Sequence, residues 1–272
     1  MKNIKLTLAY DGSVFHGWQI QPGVPTIQQT LVDVARKITQ EKIFLHGASR
    51  TDAGVHALGQ VAHFKTQSPL GALEFQRAFN ALLPAQIRVM QAEEVGPEFH
   101  ARWQSRAKTY QYRIFRGRVV SPFQYGRALH HPWPLDEAAM SEAARLFEGE
   151  HDFSSFAASS GSEDDDRDRN MVRVIYRSEM CREYAELVYT VRGQSFLRYM
   201  VRKMVGTLLD VGKRRLRPEN IPEIFAAKDR SRSGPTVPAE GLYLVSIEYP
   251  DPTASLEGRT QRVRAEARDE GV

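Results

Sequence analysis

The chain has 272 residues, 42% of them hydrophobic and 26% charged, the make-up of a soluble globular protein with room for one large domain or two small ones. There is no unbroken apolar run of membrane-spanning length, and the opening MKNIKLTLAYDG lacks the apolar core and cleavage site of a secretory signal, so neither a membrane nor export is expected. The one cysteine, Cys181, rules out an internal disulfide, no Cys/His spacing suits zinc, and a net charge of +4 permits an acidic partner without requiring one; a reducing cytoplasm fits best.

Residues 4 to 10 alternate as a strand and stop at the turn pair Asp11-Gly12. A loop with Phe15, Gly17 and Trp18 follows; Trp18 by itself reads as a core anchor. Thr26 opens a helix as T-x-x-Q, with Gln29 placed to close a capping box and Leu31, Val34, Ala35 and Ile38 on the apolar face. Lys42 to Lys65 then reads as strand, tight turn, strand: Ile43, Phe44 and Leu45 lead in, and Val61, Ala62 and Phe64 lead out. Between them lies Arg50-Thr51-Asp52-Ala53-Gly54-Val55-His56. An Asp two residues before a Gly ordinarily bonds its own turn backbone. Arg50, however, stands two residues before Asp52, and His46, His56 and His63 share the stretch. A helix over 70 to 83 is stopped by Pro84, and a strand over 87 to 92 completes a βαββαβ series.

The second half repeats that order, though not the sequence. Residues 109 to 116 form a strand, and Asp136 to Phe147 a helix with Ala139, Ala143 and Leu146 inward. Strands over 172 to 176 and 185 to 191, a long helix over 196 to 211 and a strand over 242 to 249 follow. The expectation is an α+β fold: two similar halves, residues 1–105 and 106–252, forming one extended, mainly antiparallel sheet with helices packed on it and a central cleft. Ser159 to Arg169 is polar and acidic and reads as a solvated loop, and residues 253–272 as a disordered charged tail.

Four strings carry chemistry. RTDAGVHA followed by GQVAHF resembles the signature of the tRNA pseudouridine synthase A family, whose catalytic Asp falls on Asp52; YDGSVFHGWQ resembles the family's opening motif. In AKTYQYR the family's strand carries a Tyr that lies against the target base, matched by Tyr110, although two core tyrosines on one strand face are the plainer reading. In FLRYMVRKMVG, Arg198 and Arg202 are four apart on a helix face, and the resemblance makes Arg202 the Arg that reaches the catalytic Asp. AEGLYL resembles a string beside the family's pocket and nominates Leu244, otherwise a core leucine. Arg50 is a further candidate for the substrate-binding set. One departure is Glu163-Asp164-Asp165-Asp166, four carboxylates where the family often has a polar or basic segment.

The resemblance implies the pseudouridine synthase fold, a homodimer, and conversion of uridine to pseudouridine at positions 38 to 40 in the anticodon arm of tRNA. That reaction breaks the N1–C1′ bond and makes a C5–C1′ bond within one nucleotide. It needs a nucleophile or base near C1′ and a surface for the detached ring, but no redox step or group donor, so no cofactor is expected. Two rivals stand beside it. A glycoside or nucleoside hydrolase usually needs a second carboxylate, and a catalytically silent RNA-binding protein has no need of Asp52, Tyr110 and Arg202 together.

Overall fold

The computed structural model describes residues 1–157 and 170–250. The acidic stretch at Glu163 to Asp166 and the charged tail lie outside the described residues. Among the described residues ten strands form one sheet: β1 (Lys2–Tyr10), β2 (Leu45–Gly47), β3 (His56–Thr66), β4 (Ile87–Val95), β5 (Ala107–Phe115), β6 (Leu129–His130), β7 (Gly149–Asp152), β8 (Val172–Glu183), β9 (Glu186–Gly193) and β10 (Leu242–Glu248). Five helices accompany them among the described residues: α1 (Ile27–Thr39), α2 (Ala72–Leu82), α3 (Glu137–Arg145), α4 (Met200–Gly212) and α5 (Asn220–Ala227).

The strand order is β4-β1-β3-β10-β5-β9-β8-β7, with β2 beside β3 and β6 beside β5. Pairings are antiparallel except β3 with β10 and β5 with β6. The sheet is thus mixed but mainly antiparallel, as expected. What the strand patterns could not supply is the junction: β10, from the end of the chain, joins β3 through the register Tyr243↔His56 and Leu244↔Ala57. β1 occupies one edge of β3 along most of its length. The other edge is divided, with β2 pairing to Ala62–Phe64 and β10 to the start of the strand.

One apolar core runs between the sheet and the helices. Alternate residues of β1 (Ile4, Leu6, Leu8) meet Leu31 of α1 and Phe75 and Phe79 of α2, while Met140, Met204 and Ile224 bring in α3, α4 and α5. Phe64 sits edge-on to Phe75 at 5.5 Å, a geometry that adds about 0.5–1.5 kcal/mol beyond area burial.

Several local expectations change. Thr26 caps α1, its hydroxyl accepting the Gln29 N–H at 3.3 Å, but the Gln29 side chain donates to Asp33 instead of returning to the cap, so the box is half made. Asp52 lies in an eight-residue loop between β2 and β3, not a tight turn, and Ile43 and Phe44 precede the strand. Leu146 is exposed; Phe147, one residue on, takes the inward place. The helix expected from Phe196 begins at Met200, because Tyr199 adopts a left-handed backbone (φ +61°). Arg198 therefore precedes the helix and shares no helical face with Arg202.

Candidate active site in a basic cleft

The loop that carries Asp52 is held on three sides. Gln60 shares a face of β3 with Ala62 and Phe64, and it is fully buried. Its carbonyl accepts the Ser49 N–H at 3.2 Å while its amide donates to the Ser49 carbonyl at 2.7 Å, clamping the start of the loop. Tyr10, at the end of β1, shares a hydrogen bond of 2.8 Å with the Thr51 hydroxyl. The segment before α1 backs the loop: the Trp18 N–H donates to the Thr51 carbonyl at 3.0 Å. Gly17 sits at φ +88°, where a Cβ would stand 2.7 Å from that same carbonyl, so backbone meets backbone there. At the loop's end, the Val55 N–H returns to the Asp52 carbonyl at 3.1 Å.

Facing this loop is the N-terminal turn of α4. Arg202 places Nη1 3.4 Å from Asp52 Oδ2, with both side chains largely but not fully buried. Its Nε donates to the Val237 carbonyl at 2.7 Å, which fixes the guanidinium plane. The 235–237 segment it holds reaches it only because Gly206 has no side chain: a Cβ there would lie 1.8 Å from the Pro235 carbonyl oxygen. Burial pushes the Asp52 carboxyl above the ordinary carboxylate value, and Arg202, then Arg198, pull against it.

Tyr110 is 6% exposed in β5, its ring edge-on to Phe196 at 5.0 Å and its hydroxyl 2.9 Å from Ser49 Oγ. Burial raises its pKa to about 12, so it is a neutral phenol near the carboxylate. Tyr112, on the same face, turns its hydroxyl to the Pro238 carbonyl at 2.8 Å and belongs to the core.

These groups open on a cleft of about 1760 Å³, larger than the 300–1,000 Å³ typical of small-ligand pockets. Lys42, Arg50, Lys65, Arg102, Lys108 and Arg198 line it besides Arg202, against Glu41, Asp52 and Glu98. The lining is basic on balance, seven cations against three carboxylates. Among the described residues no group of three or more His, Cys, Asp or Glu is placed to hold a metal ion, and no helix is long and apolar enough to cross a membrane.

The structure brings together three of the five candidates read from sequence. Asp52, Arg202 and Tyr110 converge on the cleft. Arg50 lines the same cleft but is exposed, without a hydrogen bond or ion pair to Asp52. Leu244 is fully buried, paired in register with Tyr110, and does not line the cleft; Leu242, two residues earlier, does. Sequence reasoning passed over Gln60, Tyr10, Ser49 and Lys108. A Gln in line with the apolar Ala62 and Phe64 was the signal for the first. The histidines also separate: His46 and His63 stack at 5.2 Å, whereas His56 accepts the Gly12 N–H at 3.2 Å and stacks on Tyr243.

A sequence model of the family described as tRNA pseudouridine synthase matches residues 7–104 and 143–250. The chain belongs to that family. A tRNA pseudouridine synthase A from Solibacter usitatus is 48% identical over 249 residues, covering 92% of this chain and 100% of the relative. Relatives of the same name from Acetivibrio thermocellus and Moorella thermoacetica are each 42% identical, again over 92% of this chain and the whole of each relative. Asp52 and Arg202 lie inside the matched stretches; Tyr110 lies between them.

Proposed function

We propose that the cleft isomerises uridine to pseudouridine at positions 38, 39 or 40 in the anticodon arm of tRNA, with Asp52 acting at the sugar. By family the chain is a tRNA pseudouridine synthase, an isomerase. The observation that carries the assignment of roles is the Asp52–Arg202 pair at 3.4 Å, set in a basic cleft beside a buried tyrosine. Asp52, ionised against its own burial by Arg202, serves as nucleophile or base near C1′. The N1–C1′ bond breaks, the ring turns, the C5–C1′ bond forms, and the C5 proton leaves. Tyr110 and Leu242 offer the detached ring a flat and an apolar wall, and Arg50 meets the RNA at the cleft mouth. The basic lining binds phosphate, so affinity should fall as salt rises.

The same reading carries a homodimer that spreads the tRNA over two subunits, action in the cytoplasm, no cofactor, and halves of residues 1–105 and 106–252 meeting at the cleft. The test is tritium release from tRNA transcript labelled at C5 of uridine, with the product mapped by pseudouridine-specific primer extension. Wild type should release tritium at the anticodon arm; Asp52→Ala should release none while binding tRNA as before. Turnover by pure Asp52→Ala would sink the role of Asp52. Free uracil from wild type would indicate a hydrolase, and tight binding without release a silent binder.

A further inference from the structure

Residues 97 to 103 contribute a second feature to the cleft lining that the isomerisation itself does not use. The Trp103 side chain is 80% exposed, yet it is not free-standing. Its inner face lies parallel to the His100 ring, with centroids 3.7 Å apart and planes 10° from coplanar. His100 is fixed in turn: its Nδ1 accepts the backbone N–H groups of Arg102 and Trp103 at 3.2 and 3.3 Å. Behind it stand His63 at 4.7 Å and His46 at 5.2 Å, and the buried His63 accepts the Ala101 N–H at 3.2 Å. Trp103 therefore caps a pile of imidazoles rooted in β2 and β3, the strands that also hold the Asp52 loop. Burial first, then the neighbouring histidines, push His63 down to about 4, so this buried ring is neutral at neutral pH, and His100 is lowered by burial first and then by His46.

The outer face of Trp103 is open to the cleft, whose charged lining is mostly cationic, with Glu98 of the same segment adding a carboxylate. The Arg102 guanidinium is exposed and makes no ion pair among the described residues. Lys108 lines the same cleft, its Nζ donating to the Ala48 carbonyl at 3.0 Å; burial and then Arg102 lower its pKa to about 8, a repulsion that an anion between the two would relieve. A rigid aromatic face beside positive charge, continuous with a basic cleft, has the form of half a base sandwich with a phosphate seat.

We infer that Trp103 is a stacking platform for a second unpaired base of the substrate RNA, with Arg102 and Lys108 taking the adjoining phosphate, apart from the place where the target uridine reacts. This rests on the RNA-modifying reading of the cleft. It explains why a large apolar side chain is held rigid in solvent, where a single exposed aromatic would otherwise sample many rotamers.

Two measurements test it. In Trp133→Phe protein, Trp103 is the exposed indole, since Trp18 is 2% exposed; titration with tRNA transcript should quench its emission. In steady-state tritium release, Trp103→Ala should raise KM for tRNA about tenfold, within the range of one base–aromatic stack, and leave kcat within about twofold; Trp103→Phe should restore most of the loss. Wild-type KM in Trp103→Ala at both low and physiological salt would overturn the proposal. So would an emission change in RNA-free protein that tracks self-association, which would give the face to a second copy of the chain. Normal wild-type turnover beside an unaffected Trp103→Ala sinks the platform alone. A wild type that forms no pseudouridine sinks the underlying reading, and the emission titration then still decides whether Trp103 stacks on RNA.

Discussion

Replacing Arg202 by Gln removes the charge facing Asp52 while keeping a hydrogen-bonding side chain near the Val237 carbonyl. At 3.4 Å, two unit charges at an effective dielectric of about 20 attract by about 5 kcal/mol. Both side chains keep some contact with solvent, 15% for Arg202 and 26% for Asp52, so the realised effect is smaller. An opposite charge at this range ordinarily displaces a carboxylate pKa by about 1–3 units, or roughly 1.4–4 kcal/mol. Burial already holds Asp52 above the ordinary value, with Arg202 opposing it. Loss of the cation moves the pKa further in the same upward direction. The acid limb of the kcat/KM profile for tritium release should therefore shift up by about 1–3 pH units, and activity lost at the acid end should return as pH is raised. Arg202→Lys, which keeps a charge but not the fork to Val237, should leave the limb nearly in place and lower kcat. An unshifted limb in Arg202→Gln would refute the idea that this pair sets the ionisation of Asp52.

Three further outcomes follow from the same contacts. Because the folded pKa of Asp52 is raised, its contribution to stability is present below the unfolded carboxylate value and is lost as pH rises through the folded value; Asp52→Asn should be inactive yet have a higher Tm than wild type at pH 7, with the difference vanishing in acid. Gln60→Leu leaves the Ser49 N–H and carbonyl without their partners and should cost about 1–3 kcal/mol in urea unfolding, with kcat falling more than KM rises as the loop slackens. Gly206→Ala drives a methyl into the Pro235 carbonyl and should lower Tm by several degrees and reduce turnover; wild-type values would mean that the 234–237 segment does not position Arg202.

Much of this was legible in the chain because it is local. Strand alternation, the Thr26 cap and the helix periodicities depend on near neighbours, and all five helices but α5 were expected close to where they lie. Asp52, Tyr110 and Arg202 could be named because they stand in long motifs. Their meeting could not be read from spacing, since 150 residues separate Asp52 from Arg202. The nomination of Leu244 failed for a similar reason. Leu242 and Leu244 are both buried and point to one face of β10, and only the tertiary packing makes Leu242 the one that lines the cleft. Arg50 was nominated on sequence proximity, but the loop's backbone turns its side chain to the surface. The start of α4 was missed because helix propensity continues through Phe196 to Tyr199, while the left-handed residue that stops it is set by the tertiary fit of the preceding loop.

The position of the loop follows from how β3 is shared. A strand edge carries one row of hydrogen-bonding groups, and here two partners divide it: β2 ends at Gly47 opposite Ala62, and β10 takes up the edge again at Ala57. Between them the ladder has no regular partner; the Ala48 N–H still reaches the Val61 carbonyl at 2.8 Å, and side chains hold other backbone groups of the loop beside it. Gln60 does so from β3, and Lys108 does so from β5 by donating to Ala48. The gap that would be a defect in a continuous sheet is thus where a non-repetitive loop can leave the sheet while its ends stay rigid. The residues needed around it come from distant parts of the chain, with Asp52 before β3, Tyr110 on β5 beside β10, and Arg202 on α4. The parallel junction that interrupts an otherwise antiparallel order is consequently what assembles the site: a change that weakened the β3–β10 pairing should separate Asp52 from Arg202 before it unfolded either flank.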